Sequence, residues 1–208
     1  MEFIKKNFKY DEILLMYRCG SYAFKTNDEE SDEDYIVVLK NFKGFTYLNN
    51  ERKEYFILGI NEWKDKMEFS DNYSEYYQIF NDEIMAYPNN VIYMDDSMKE
   101  MVKEYQDTFT SKIKIWLKKV YSYFIFYYKF GDLKKNMYHL IRISYIVNKY
   151  NLTGSFSLDL DEETNTLIRN YKRCKNREPY RSVILESLDY ISKEINKDEW
   201  NRYCLICY

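Results

Sequence analysis

Near residue 105 the spacing of apolar side chains changes from that of strands to that of helices, and this change limits the folds open to the chain. Before it, short apolar runs separated by polar turns read as strands at Glu12–Arg18, Tyr35–Leu39, Glu54–Ile60 and Val91–Met94. Asn61 is placed to cap a helix carrying Glu62, Trp63, Lys64, Asp65 and Lys66, and Ser74–Phe80 also reads as helical. After it, Ile113, Trp116, Leu117, Val120, Tyr121, Phe124, Tyr127 and Tyr128 recur at i, i+3, i+4 and i+7, which marks a long amphipathic helix. Gly131 ends that helix and Asp132 can cap a second, in which Met137, Leu140, Ile141, Ser144 and Val147 share a face. Gly154 breaks the chain again. Leu160–Tyr171 reads as a short helix, and Pro179 opens a last one with Ile184, Leu188, Ile191 and Ile195 inward. The expected fold is α+β: a small mixed sheet with flanking helices over residues 1–105, followed by a helical bundle over residues 106–208. A chain of 208 residues is long enough for one core or two small domains. There is no internal repeat and no low-complexity linker.

Composition removes several classes of chemistry. The only histidine is His139, so triads, multi-histidine zinc sites and paired-histidine phosphoesterases are excluded unless it is the single member. There is no Gly-x-x-x-x-Gly-Lys loop and no Gly-x-Gly-x-x-Gly. No apolar stretch reaches membrane-spanning length and the N-terminus lacks a signal-peptide core, so a soluble cytoplasmic protein with no membrane partner is expected. Cys19, Cys174, Cys204 and Cys207 make no disulfide framework and read as free thiols. The formal charge is only −3, but it is unevenly placed. Residues 28–34 hold six acids and no base, whereas residues 111–135 hold seven lysines against the single acid Asp132. Lys172, Arg173, Lys175, Arg177 and Arg181 add a second basic stretch against Glu178.

The acidic run feeds directly into the apolar strand at Tyr35, a costly arrangement unless something cationic sits there. Asp32 and Asp34 are two apart, so along a strand they project from one face and can converge on one point. Two hard oxygen donors so held suit Mg²⁺ or Mn²⁺ carrying a nucleoside triphosphate. Just upstream, Gly20 lets the backbone approach a phosphate closely and Ser21 can donate to its oxygens. An EF-hand loop beginning at Asp28 fails, because it would need Gly where Glu33 stands and Glu where Leu39 stands. A glycosyltransferase Asp-x-Asp uses the same metal logic but normally follows a longer nucleotide-binding region. Metal-dependent phosphoryl transfer usually takes a third carboxylate, and Glu54, opening a strand expected beside Tyr35–Leu39, is the first choice. Asp65, Asp71 and Asp82 are the fallbacks. In the second half, Lys135, His139 and Arg142 lie at i, i+4 and i+7, on a face opposite Met137, Leu140, Ile141 and Ser144. Three such donors suit a triphosphate or an RNA phosphate, where Arg can grip two oxygens.

The segment Gly20-Ser21-Tyr22-Ala23-Phe24 with Ser31-Asp32-Glu33-Asp34 resembles the DNA polymerase β-like nucleotidyltransferase superfamily. With Lys134, Lys135, Tyr138, His139 and Arg142 added, the chain is similar to the predicted nucleotidyltransferases associated with RNA-repair operons, whose relatives are also encoded by phages. That group's pattern runs Gly-Ser-x-Ala-Tyr-Gly-Thr, Ser-Asp-x-Asp and, later, Lys and Tyr-His-x-x-Arg; Thr26 and Ser31 match it as well. The resemblance implies transfer of a nucleoside monophosphate from a nucleoside triphosphate to an acceptor hydroxyl or phosphate. Asp32, Asp34 and Glu54 would then be metal-binding and catalytic, with Gly20, Ser21, Lys135, His139 and Arg142 binding nucleotide. By the same resemblance the acceptor is RNA; a protein side chain is the nearest alternative. A degenerate, non-enzymatic nucleotide- or RNA-binding module acting as a phage regulator is the competing class. The chain departs from the pattern at Tyr22, Phe24, Lys25 and Val37, and has Glu54 where Asp is usual.

Overall fold

The computed structural model describes residues 2–9, 12–69, 90–105, 133–154, 160–176 and 178–194. The expected helices at Ser74–Phe80 and around residues 113–128 lie outside them, as do Asp71, Asp82, Asp132, Cys204 and Cys207. Two compact units divide the chain, Met1–Ser111 and Lys112–Tyr208.

The first unit is built on strands β1 (Ile13–Cys19), β2 (Glu33–Leu39), β3 (Phe45–Asn50), β4 (Lys53–Gly59) and β5 (Val91–Met94). They form one mixed sheet in the order β3-β4-β2-β1-β5. Four of the strands fall within two residues of the expected bounds, because each is a largely apolar run; β1, β2 and β4 bury most of their residues and β5 is half-buried. β2 and β4 pair in parallel, and every other neighbouring pair is antiparallel. β3 was not expected. It is an edge strand with alternating exposure, and Phe-Thr-Tyr-Leu-Asn-Asn carries little apolar signal.

Alternation along the strands sends two sets of side chains to opposite faces. One face gathers Ile13, Met16, Tyr35, Val37, Leu39, Tyr55 and Ile57 into a core that Ile4 of α1 (Glu2–Asn7) completes. Stacked rings run across it, Phe3 on Tyr55 at 5.3 Å and Tyr55 on Tyr35 at 5.2 Å. The opposite face is covered by α3 (Ile60–Phe69), whose fully buried Trp63 donates from Nε1 to the Tyr17 hydroxyl at 3.3 Å. The Trp63 ring also meets the Tyr105 ring edge-on, on α4 (described over residues 96–105), which buries Met98 and Val102. Each such fully buried large apolar side chain contributes roughly 1.5–3 kcal/mol. Asn61 does not cap α3, which begins one residue earlier at Ile60. The reason is local: Gly59 lies so close to the Phe42 carbonyl that a Cβ would sit 2.1 Å from it, and Glu62 reaches back to accept from Gly44 N–H at 2.8 Å.

In the second unit the described elements are helical: α5 (Leu133–Thr153), α6 (Glu162–Arg173) and α7 (Arg181–Glu194), with a single 3₁₀ turn at Glu178–Tyr180 before α7. Both α6 and α7 pack on α5. Gly154 ends α5 as expected, at φ +72° with its N–H on the Tyr150 carbonyl at 2.7 Å. Asp161 caps α6 by accepting from Thr164 N–H at 2.7 Å, which also holds its carboxyl below the ordinary value.

Candidate functional site

Where β1 ends, the chain turns through α2 (Gly20–Ala23), a single helical turn rather than a simple bend. Gly20 starts it at φ +67°, in the left-handed region where glycine is favoured. It is closed by hydrogen bonds from Lys25 N–H to Tyr22 O at 3.2 Å and from Thr26 N–H to Ser21 O at 2.9 Å. Lys25, which stands where the nucleotidyltransferase pattern carries Gly, itself adopts φ +57°. The backbone thus takes a glycine-like conformation at both ends of the turn although only one end is glycine.

Asp34 is held against this turn. A Cβ on Gly20 would lie 2.1 Å from Asp34 Oδ2, so only a residue without a side chain lets the carboxylate rest there. In the sheet Asp34 stands between Cys19, its partner on β1, and Glu54, its partner on β4. Registered residues in neighbouring strands share a face, so the two carboxylates lie side by side. The expected pairing of the Glu54 strand beside Tyr35–Leu39 is therefore met. Asp32 falls one residue before β2 and is exposed. The acidic stretch leading to it is a turn closed on itself: Ser31 N–H donates to Asp28 O at 3.1 Å, and the Asp28 carboxylate accepts from Ser31 Oγ and Glu30 N–H. The Arg52 guanidinium donates to Ser31 O at 3.2 Å, and Glu33 N–H to Arg52 O at 2.8 Å.

Glu33, between the two aspartates, points to the opposite face and belongs to a different cluster. Its carboxylate meets Arg18 at 3.2 Å, Lys53 at 3.6 Å and the Tyr35 hydroxyl. Burial pushes this carboxyl up, but Tyr35, Lys53 and Arg18 together outweigh burial and hold it below the ordinary value. Burial and the Glu33 contact push the Tyr35 phenol up to about 12. The Arg18 guanidinium also lies over the Tyr22 ring at 5.5 Å, linking α2 to this cluster.

Sequence reasoning missed Tyr47 on β3. Its phenol pKa is raised, first by the nearby Glu54 carboxylate and further by the charge of Asp34, while Asn49 donates to its oxygen at 3.3 Å and opposes the rise. Tyr47, Glu54 and Asp34 thus form one neighbourhood; the signal for it would have been the weak alternation before the Asn49-Asn50-Glu51 turn. Asp65 lies exposed on α3. Among the described residues, no three His, Cys, Asp or Glu side chains gather as a group that could hold a metal ion.

Lys135, His139 and Arg142 all fall on α5 at the expected helical spacing. Arg142 was expected on an open polar face, and here the structure differs. It is 1 % exposed, with its guanidinium over the Tyr138 ring at 5.5 Å. Lys172 of α6 lies over the same ring at 5.6 Å. Packing of neighbouring helices covers a position that periodicity alone assigns to solvent. Ile141 and Ser144 are buried as expected. A cleft of about 220 Å³ between α5 and α7 is lined by Ser144, Tyr145, Asn148, Val183, Glu186 and Ser187, a set with a carboxylate and no cation that does not suit a triphosphate.

Comparison with protein-family models and with curated proteins gives no match to this chain. Among the described residues, no helix is long and apolar enough to cross a membrane.

Proposed function

We propose that the protein is a metal-dependent nucleotidyltransferase of the polymerase β-like kind, working in the cytoplasm and moving a nucleoside monophosphate from a nucleoside triphosphate to an acceptor hydroxyl or phosphate on RNA. The observation that carries this reading is the Asp34 carboxylate seated on the left-handed Gly20, in register with Glu54. The left-handed backbone at Lys25, where the resembling pattern has Gly, supports it further. Asp32, Asp34 and Glu54 offer hard oxygen donors that fit Mg²⁺ or Mn²⁺. Among the described residues no three-ligand cage is gathered, and Mg²⁺ is usually bound by one or two carboxylates plus substrate phosphates and water. When bound, such an ion supplies charge neutralisation at the phosphates.

The protein's own residues then have these roles. Ser21 and the Gly20 backbone hold the β- and γ-phosphates; Lys135 and His139, on α5 of the second unit, are nucleotide-binding by the resemblance alone. Arg142, buried against Tyr138, contributes by shaping α5. The acceptor oxygen attacks the α-phosphorus, Glu54 takes its proton, the bond to the bridging oxygen breaks and pyrophosphate leaves. The helices of the second unit are the bundle that accompanies this core.

Two observations favour a second reading, a degenerate module that binds nucleotide or RNA without turnover: Asp32 is exposed, and among the described residues no trio of ligands is gathered. The full chain is incubated with each labelled nucleoside triphosphate, Mg²⁺ or Mn²⁺, and total RNA or lysate protein. Label should enter RNA and be lost in Asp34→Asn. Label in protein would redirect the acceptor to a side chain. Nucleotide binding without transfer into any fraction would replace the enzyme with the binding module.

A further inference from the structure

Among the described residues of the first unit, the exposed large hydrophobic side chains are Phe45 and Tyr47, at 57 % and 44 %. Both lie on one face of the edge strand β3, two residues apart. Phe56 of β4 sits beside them, its ring 6.3 Å from Phe45 at an interplanar angle of 28° and 5.6 Å from Tyr47. Register places this aromatic stripe on the same sheet face as Glu54 and Asp34, since Tyr47 pairs with Phe56 and Asn49 with Glu54. From Phe45 to the level of Glu54 the stripe runs for about 13 Å of strand.

The end of the stripe before Phe45 is basic, with Lys40 and Lys43 exposed, and Arg52 is exposed at the hairpin tip beyond the carboxylates Glu54 and Asp34, whereas Lys53 pairs with Glu33 on the opposite face. Exposed rings beside exposed cations suit a strand with flat bases and a phosphate backbone, because bases stack on aromatic faces whatever their sequence while the cations follow the phosphates. A second copy of this chain fits less well, since pairing two β3 edges would bring like-charged flanks together.

We propose that the outer face of β3 is a stacking platform for single-stranded RNA, with Phe45 and Tyr47 each holding a base and delivering the strand end toward Glu54 and Asp34. The platform deepens the proposed activity, on which the identity of the strand as acceptor rests.

The test is binding of a short fluorescein-labelled single-stranded RNA to the full chain at low salt, read by anisotropy. Phe45→Ala and Tyr47→Ala should each weaken binding by about tenfold, the size of one lost base–aromatic stack, while Phe45→Trp should retain it. Asp34→Asn, run alongside, should remove label transfer and leave RNA affinity unchanged, so that failure of the chemistry and failure of the platform read differently. Wild-type affinity retained in both alanine variants would overturn the proposal, as would absence of RNA binding by the wild-type chain. Sedimentation velocity showing a dimer that Phe45→Ala dissolves, with RNA affinity untouched, would assign the stripe to a second copy instead.

Discussion

Replacing Gly20 by Ala perturbs the site at the point where backbone and carboxylate meet. Two costs follow from the geometry. A side chain at φ +67° pays roughly 1–2 kcal/mol for the left-handed conformation. The new Cβ would also lie 2.1 Å from Asp34 Oδ2, so the carboxylate must swing away, and a side chain forced off its rotamer costs about 0.5–1.5 kcal/mol. Together they make a loss of about 2–3 kcal/mol, or roughly 5–10 °C in Tm for a chain of this size. Gly44→Ala is the internal control. Gly44 has φ +88° but nothing within 4 Å of the added Cβ, so it carries the conformational cost alone. Both substitutions reduce unfolded-state entropy equally, and that contribution cancels in the comparison. The assay is urea unfolding followed by circular dichroism, on Gly20→Ala, Gly44→Ala and Gly20→Ala/Asp34→Ala. The excess penalty of the first over the second should be about 1 kcal/mol and should vanish in the double variant, because the colliding carboxylate is gone. If Gly20→Ala costs no more than Gly44→Ala, Asp34 does not rest on that backbone and the site as drawn is wrong.

Two further outcomes are expected. Lys25→Gly relieves an exposed side chain at φ +57° and should raise the urea midpoint by the equivalent of about 0.5–1 kcal/mol, after the greater unfolded-state freedom of glycine is subtracted. Asp161→Ala should cost about 1 kcal/mol at neutral pH through loss of the α6 cap. The Asp161 carboxyl is depressed in the folded state, chiefly by the Thr164 N–H, so its stabilisation is present above its ordinary value of 3.8 and is lost as pH falls through the folded value. Wild type and Asp161→Ala should therefore converge in acid, whereas Asp161→Asn, which caps without titrating, should not show that convergence.

The sheet was legible where burial forces apolar runs, as in Tyr35–Leu39 and Ile57–Gly59, and illegible where an edge strand alternates with solvent, as in β3. The Asp34–Glu54 pairing could be anticipated because Glu54 opens an apolar strand, but its neighbour Tyr47 could not, since that contact is diagonal and arises only once β3 exists. The burial of Arg142 escaped for a related reason: helical spacing describes one helix, whereas its solvent exposure depends on what packs against it. The Lys25 backbone shows the converse, a conformation whose residue in this chain gives no hint of it.

The tip of the β3–β4 hairpin is tied to the acidic turn through both the backbone carbonyl and the guanidinium of Arg52. These two loops are far apart in the chain but constitute a single mechanical piece, so lengthening either would drag the other with it. Insertions should therefore be found elsewhere in natural variants of this chain, and the spacing between Asp32 and the hairpin tip should behave as an inherited dimension rather than a free linker.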